Sequence, residues 1–142
     1  METRIYVGNA LTNVSQEYLE FINIIKQELN NIDSVQILDY KGTGETPEEI
    51  ARHNLEQIKD CDILLAIRDF PSEGLGIEIA ECSKINKFII LANHVLSKPS
   101  KFALGLCRIR HNKFVHLEYS NLNELIRELK EIINHYKINY VL

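Results

Sequence analysis

Apolar residues in this chain fall into short continuous runs, separated by longer stretches in which they recur every three to four positions. The runs cover residues 4–8, 35–38, 63–67, 88–92 and 114–117. Runs this short, bounded by polar and turn-forming residues, read as buried strands. The stretches between them carry helix signals. Ser15 is placed to cap a helix whose inner face holds Tyr18, Ile22, Ile25 and Leu29. Thr46, Pro47 and Glu49 combine a cap, a proline at the first helical position and a glutamate three residues after the cap. That helix runs to about Asp60. A third helix carries Gly74, Gly76 and, within its first turn, Glu78. Ser120 caps the last, with Leu122, Leu125, Ile126, Leu129, Ile132, Ile133 and Tyr136 on one face. Residues 42–44 read as a loop, and residues 93–112 as a long connection with one helical turn near residues 102–106.

Continuous apolar strands alternating with helices predict a parallel sheet covered on both faces. Right-handed crossovers then give an α/β, flavodoxin/Rossmann-like three-layer sandwich: a five-stranded parallel sheet in the order 2-1-3-4-5. The 142 residues, 45% hydrophobic, suit one domain spanning residues 1–142 with a substantial core. No repeat, linker or low-complexity tract interrupts it. No apolar run approaches the roughly 20 residues a membrane helix needs, and METRIYVGN lacks a signal-peptide layout. Cys61, Cys82 and Cys107 are widely spaced and form no CxxC pair. The expectation is a cytoplasmic protein with reduced thiols, no metal and no membrane association. The net charge of −4 and pI ≈ 5.7 argue against nucleic acid as a partner.

Charge is unevenly spread. Between Cys82 and Leu117 there is no acidic residue, while Lys84, Lys87, Lys98, Lys101, Arg108, Arg110, Lys113, His94, His111 and His116 fall there. The segment reads either as an anion site, most simply for phosphate, or as a solvated or partner-facing surface.

In the order 2-1-3-4-5, strands 1 and 3 are neighbours, and ligands of open α/β sheets bind at such switch points. Tyr6, Gly8 and Asn9 lie at the end of strand 1, and residues 69–78 follow strand 3. Gly74 and Gly76 would allow close approach to the backbone. Glu78 reads in two ways. It is either a nucleophilic carboxylate at the pocket, kept ionised by a helix N-terminus worth about 0.3–1 kcal/mol, or an ordinary helix-dipole partner. Tyr6 either meets Glu78 or is a half-buried strand tyrosine. Asn54, on the inner stripe with Ile50, Ala51, Leu55 and Ile58, either bonds a backbone group or reaches into the pocket.

The succession IYVGN, HNLEQIKDCDILLAI and PSEGLGIEIAE resembles the nucleoside 2-deoxyribosyltransferase family, including the 2'-deoxynucleoside 5'-monophosphate N-hydrolases, from the first strand to about Tyr119. The resemblance implies a small-molecule nucleoside or nucleotide substrate, no cofactor, and covalent glycosyl transfer to another base or to water. It makes Glu78 the nucleophile and Tyr6 the residue that orients it. Gly8, Asn9 and Ala10 form the loop beneath the sugar, and Asp62 and Ser72 are further substrate-site positions. Ser72 leans toward the hydrolases. The resemblance also implies a homodimer or higher oligomer, with residues 93–112 at the neighbouring subunit.

Three positions depart from the family pattern. Asn54 stands where an Asp assists protonation of the leaving base, and an amide supplies no proton at neutral pH. The loop NALTNVS lacks the hydrolases' Gly/Arg-rich phosphate grip, and Phe102 replaces a partner-subunit Ser. The last two favour a nucleoside; Ser72 and the basic segment favour a nucleotide. Asn54 also opens an alternative class: a catalytically weak or inactive module that binds or senses nucleotides.

Overall fold

Thr3–Asn9 (β1), Val35–Leu38 (β2), Ile63–Ile67 (β3), Phe88–His94 (β4) and Phe114–Tyr119 (β5) form one sheet in the order β2-β1-β3-β4-β5, every pair parallel. The computed structural model describes residues 1–38, 46–110 and 113–141. The helices are Gln16–Asn30 (α1), Pro47–Asp60 (α2), Glu73–Lys84 (α3), Lys101–Arg110 (α4) and Leu122–Tyr136 (α5), followed by a π-helical turn at Lys137–Val141. The architecture and strand order are those the sequence predicts.

Strand alternation divides the core in two. Ile5, Val7, Ile63 and Leu65 face α1 and α5, packing on Ile22, Ile25, Leu29, Leu125, Leu129 and Ile133. Tyr6, Leu64, Ala66 and Leu91 face the other way, onto Ile58, Leu75, Ile79 and Cys107 from α2, α3 and α4. β3 is inaccessible at all five positions because both faces are covered, which is why its sequence is an unbroken apolar run. This parity puts Tyr6 on the α3 side of the sheet.

Capping explains most element starts. Ser15 Oγ accepts from Tyr18 N at 3.1 Å, and Thr46 Oγ1 from Glu49 N at 3.2 Å, as the sequence predicts. Two expectations need correction. α4 is a ten-residue helix, not a single turn; Ser100 Oγ accepts from Ala103 N at 3.0 Å and starts it just after Pro99. α5 is capped by Asn121, not Ser120: Asn121 Oδ1 accepts from Glu124 N at 2.9 Å, pairing the cap with an acidic residue three positions on. β4 and β5 also extend to His94 and Tyr119, beyond the expected residues 92 and 117. The expected loop at residues 42–44, and His111, lie outside the described residues.

The basic segment does not converge. Lys84 pairs with Glu81 at 3.0 Å, Lys87 Nζ donates to the Lys59 carbonyl at 2.8 Å, and Lys113 lies 5.6 Å from the Tyr140 ring centre. Arg108 and Arg110 are exposed on α4. This dispersal matches a solvated surface better than a single anion site. The three cysteines are free and buried. Among the described residues no helix is long and apolar enough to cross a membrane.

Candidate active site

The C-terminal end of β1 and the second turn of α3 meet over a cavity of about 600 Å³. Tyr6, Gly8, Asn9, Asn54, Glu78 and Lys26 supply its polar wall and backbone; Val7, Leu11, Leu38 and Ile50 supply the apolar one. Its size and mixed lining suit a small organic ligand.

Gly8 makes the junction possible. A Cβ there would sit 2.8 Å from Leu75 Cδ1 and 3.4 and 3.5 Å from the two Glu78 carboxylate oxygens. The glycine lets the buried Leu75 side chain lie closer to the strand than a Cβ would permit, with the Glu78 carboxylate in ordinary contact beside it. Gly8 is thus the glycine at which the chain's own elements approach closely, whereas Gly74 and Gly76 make no such contact within the fold. Both sit within α3; a Cβ at Gly76 meets nothing within 4 Å, and one at Gly74 meets only Ser72 Oγ at 3.9 Å.

Glu78 is the sixth residue of α3, one turn deeper than the sequence suggests, and 8% exposed. The helix N-terminus acts mainly within the first turn, so it is not what sets this carboxyl's titration. Burial pushes the Glu78 pKa above the usual carboxylate range, and hydrogen bonding with the Tyr6 hydroxyl pulls it partly back. Burial and the Glu78 charge push the Tyr6 hydroxyl far above its ordinary value, so it stays a proton donor to the carboxylate. Glu78 Oε2 and Asn54 Oδ1 are both buried without a hydrogen-bond partner among the described residues. An unpaired buried acceptor costs about 1–3 kcal/mol. Two of them lining one cavity suit a bound molecule that brings hydrogen-bond donors. Asn54 therefore faces the cavity; none of its oxygen's bonding goes to a described backbone group.

Asn9 also lines the cavity and donates through Nδ2 to the carbonyl of Ala10 at 2.9 Å; Ala10 itself is 2% exposed. Behind the site, the loop from β3 to α3 is tied down by Asp69. Its carboxylate accepts from His94 N at 2.8 Å and from the Tyr119 hydroxyl, while Ser97 Oγ donates to its carbonyl at 2.5 Å.

Two expected site residues are not brought to this cavity. Asp62 precedes β3 at the opposite edge of the sheet, where it accepts from Arg4 N at 2.7 Å and pairs with the Arg4 guanidinium at 3.7 Å. Ser72 is the N-cap of α3; its hydroxyl accepts from Leu75 N at 3.2 Å. It borders a separate cavity of about 340 Å³ with Arg68, Gly76 and Ser100. Lys26, in contrast, lines the Glu78 cavity without any local sequence signal for doing so. Among the described residues, no cluster of three or more His, Cys, Asp or Glu side chains is arranged to hold a metal ion.

Fold and site together define a three-layer α/β domain with a buried carboxylate at the switch point of its sheet. No protein-family model matches the sequence, and neither does any curated protein. Solved structures do share the fold. The CMP N-glycosidase of Clostridium botulinum superposes with a TM-score of 0.70 at 22% identity, over 90% of this chain and 99% of that one. A conserved protein from Enterococcus faecalis V583 gives 0.71 at 16% identity, over 93% and 99%. A 2-desoxiribosyltransferase from Leishmania mexicana gives 0.56 at 16% identity, over 64% of each chain. The structural neighbours thus include a glycosidase and a transferase of the kind the sequence motifs resemble.

Proposed function

We propose that this chain cleaves the N-glycosidic bond of a 2'-deoxynucleoside or its 5'-monophosphate, with Glu78 as the nucleophile. One observation carries the reading: a buried carboxylate with an unpartnered oxygen lines the same cavity as Tyr6 and Asn54 at the sheet's switch point. The names of two structural neighbours, a CMP N-glycosidase and a 2-desoxiribosyltransferase, support it.

In this mechanism a Glu78 oxygen attacks the anomeric carbon as the base departs with the electron pair of the broken C–N bond. The sugar is left as an ester of Glu78. Water, or the nitrogen of a second base, then attacks the same carbon, loses its proton and frees the carboxylate, so configuration is retained overall. Tyr6 positions Glu78. Gly8 and Asn9 border the sugar, with Ala10 supporting the Asn9 side chain. Asn54 contacts the ligand but donates no proton to the leaving base, which takes it from solvent. A panel of deoxynucleosides and monophosphates, together with CMP, tests the proposal with and without an acceptor base. Free base without acceptor marks hydrolysis, and exchanged base marks transfer. No turnover of any member at high enzyme concentration would overturn the enzymatic reading.

The amide of Asn54 favours a second reading, a module that senses a nucleotide without chemistry. Asn54→Asp separates the two. If the chain is an enzyme working without acid help, the native protein turns over and the substitution raises kcat by about 10²-fold, the low end of general acid catalysis. A native protein that binds but is inert, with hydrolysis appearing only in Asn54→Asp, assigns the sensing role.

A homodimer or larger assembly is part of the proposal. Phe102 and Ile109 on α4 are each 82% exposed, apolar residues within the segment expected at a neighbouring subunit. Light scattering at micromolar concentration is expected to report a dimer or more; a clean monomer contradicts it. The three free thiols support a reducing, cytoplasmic setting.

A further inference from the structure

We infer that the chain carries a second ligand site, on the α1 and α5 side of the sheet, for a small uncharged aromatic heterocycle with a hydrogen-bonding edge. The inference is independent of the glycosidic reading.

A cavity of about 490 Å³ opens where α1, the loop after β3, the loop after β4 and the start of α5 meet. It shares no lining residue with the Glu78 cavity, and its size suits a small organic ligand. Its walls are aromatic. The Tyr18 and Phe70 rings meet edge to face at 4.8 Å, and Phe21 lies nearly parallel to Tyr119 at 6.1 Å. Phe70 is 43% and Leu96 88% exposed, so the cavity has an apolar rim that a ligand would cover.

The polar groups that line it are mostly engaged within the fold. Asp69 accepts from His94 N and from the Tyr119 hydroxyl. His94 Nδ1 accepts from Leu96 N at 3.1 Å, and Nε2 meets the Ser120 carbonyl at 3.1 Å. Those partners make the ring neutral, with its proton on Nε2. Ser97 Oγ donates to the Asp69 carbonyl and accepts from Arg68 Nη1 at 3.3 Å. Tyr18 is the exception. It is 8% exposed, and its hydroxyl has no hydrogen-bond partner among the described residues. Buried polar groups are normally paired, so an unpaired hydroxyl on a residue lining a cavity points to a ligand. Burial and the nearby Asp69 charge raise its pKa, which keeps it a neutral hydroxyl that accepts from a ring N–H or donates to a ring nitrogen.

Charge narrows the class. Asp69 is the one acidic side chain in the lining, and no lysine or arginine lines the cavity. A phosphate or carboxylate would be desolvated there without a balancing cation. An uncharged planar ring meets aromatic faces, an apolar rim and one unpaired hydroxyl.

The chain has no tryptophan, so indole can be followed by its own fluorescence. Titration of the native chain with indole is expected to saturate with a Kd of about 10⁻⁴ M or tighter, within reach of so small a ligand. Indene, of the same shape without the N–H, should displace it about fivefold more weakly, the range of one neutral hydrogen bond. Tyr18→Phe should erase that difference and melt no lower than the native chain, because the hydroxyl it removes bonds nothing in the fold. Phe70→Ala, at the rim, should weaken indole several-fold, and Glu78→Gln should leave it unchanged. Indole-3-carboxylate should not displace indole. Displacement by adenine points to a free base as the natural occupant, and its failure to an indole-like ring; both support the site. No saturation up to the solubility limit, displacement by the carboxylate, or loss of indole binding in Glu78→Gln overturns the inference. So does a Tyr18→Phe chain that melts lower and keeps the indole–indene difference, or a Phe70→Ala chain that binds indole as the native one does.

Discussion

Glu78→Gln is expected to lose turnover by about 10⁴-fold or more, as removal of a nucleophile does, and at neutral pH to unfold at a higher temperature than the native chain. Both effects come from one feature. The carboxylate is buried beside Tyr6 with one oxygen unpartnered, so ionising it in the fold is unfavourable. Its pKa in the folded chain lies above the unfolded value. Between those two values the native state holds a proton the unfolded state has released, so stability falls as pH rises through that window and stays lower above it. The amide of the Glu78→Gln variant has no proton to lose, so its advantage in thermal melts should open between acid and neutral pH and close at acid pH. Activity gained at the expense of local stability is common at catalytic sites. An active variant refutes the nucleophile, and a variant no more stable than native at neutral pH refutes the burial argument.

Tyr6→Phe is expected to lower kcat by about 10²-fold, the usual loss for one oriented donor, and to move the acid limb of kcat/KM to higher pH. The Tyr6 hydroxyl favours the ionised form of Glu78, opposing burial. Without it, burial acts alone and the nucleophile is generated only at higher pH. Tyr6 is 5% exposed, so the substitution also costs some stability. A purely structural tyrosine would reduce the folded fraction and leave the limb where it was; an unmoved limb therefore denies Tyr6 its positioning role.

The sheet was legible because each of its strands is a local apolar run, and the parallel order followed from the helices between them. α4 was not, since its helical face shares its stretch with polar and basic residues and only the Ser100 cap marks its start. At the α5 start two good caps adjoin, and the acidic residue three positions beyond Asn121 decides between them. Tyr6, Gly8 and Glu78 could be placed together from sequence because they sit at strand and helix ends that topology makes neighbours. Gly74 and Gly76 stand out in the sequence motif, while the close packing contact at Gly8 depends on which residues α3 turns toward the strand. Ser72 and Asp62 came from resemblance alone; the chain uses one as a helix cap and the other at the far edge of the sheet. Lys26 carries no sequence signature for the site; only the fold brings it to the cavity lining.

The most direct test of the central claim is intact-mass spectrometry of the native chain quenched during turnover, followed by peptide mapping. A pentosyl adduct on the peptide containing Glu78, absent from Glu78→Gln, is the predicted result. An adduct mapped to any other residue would contradict it.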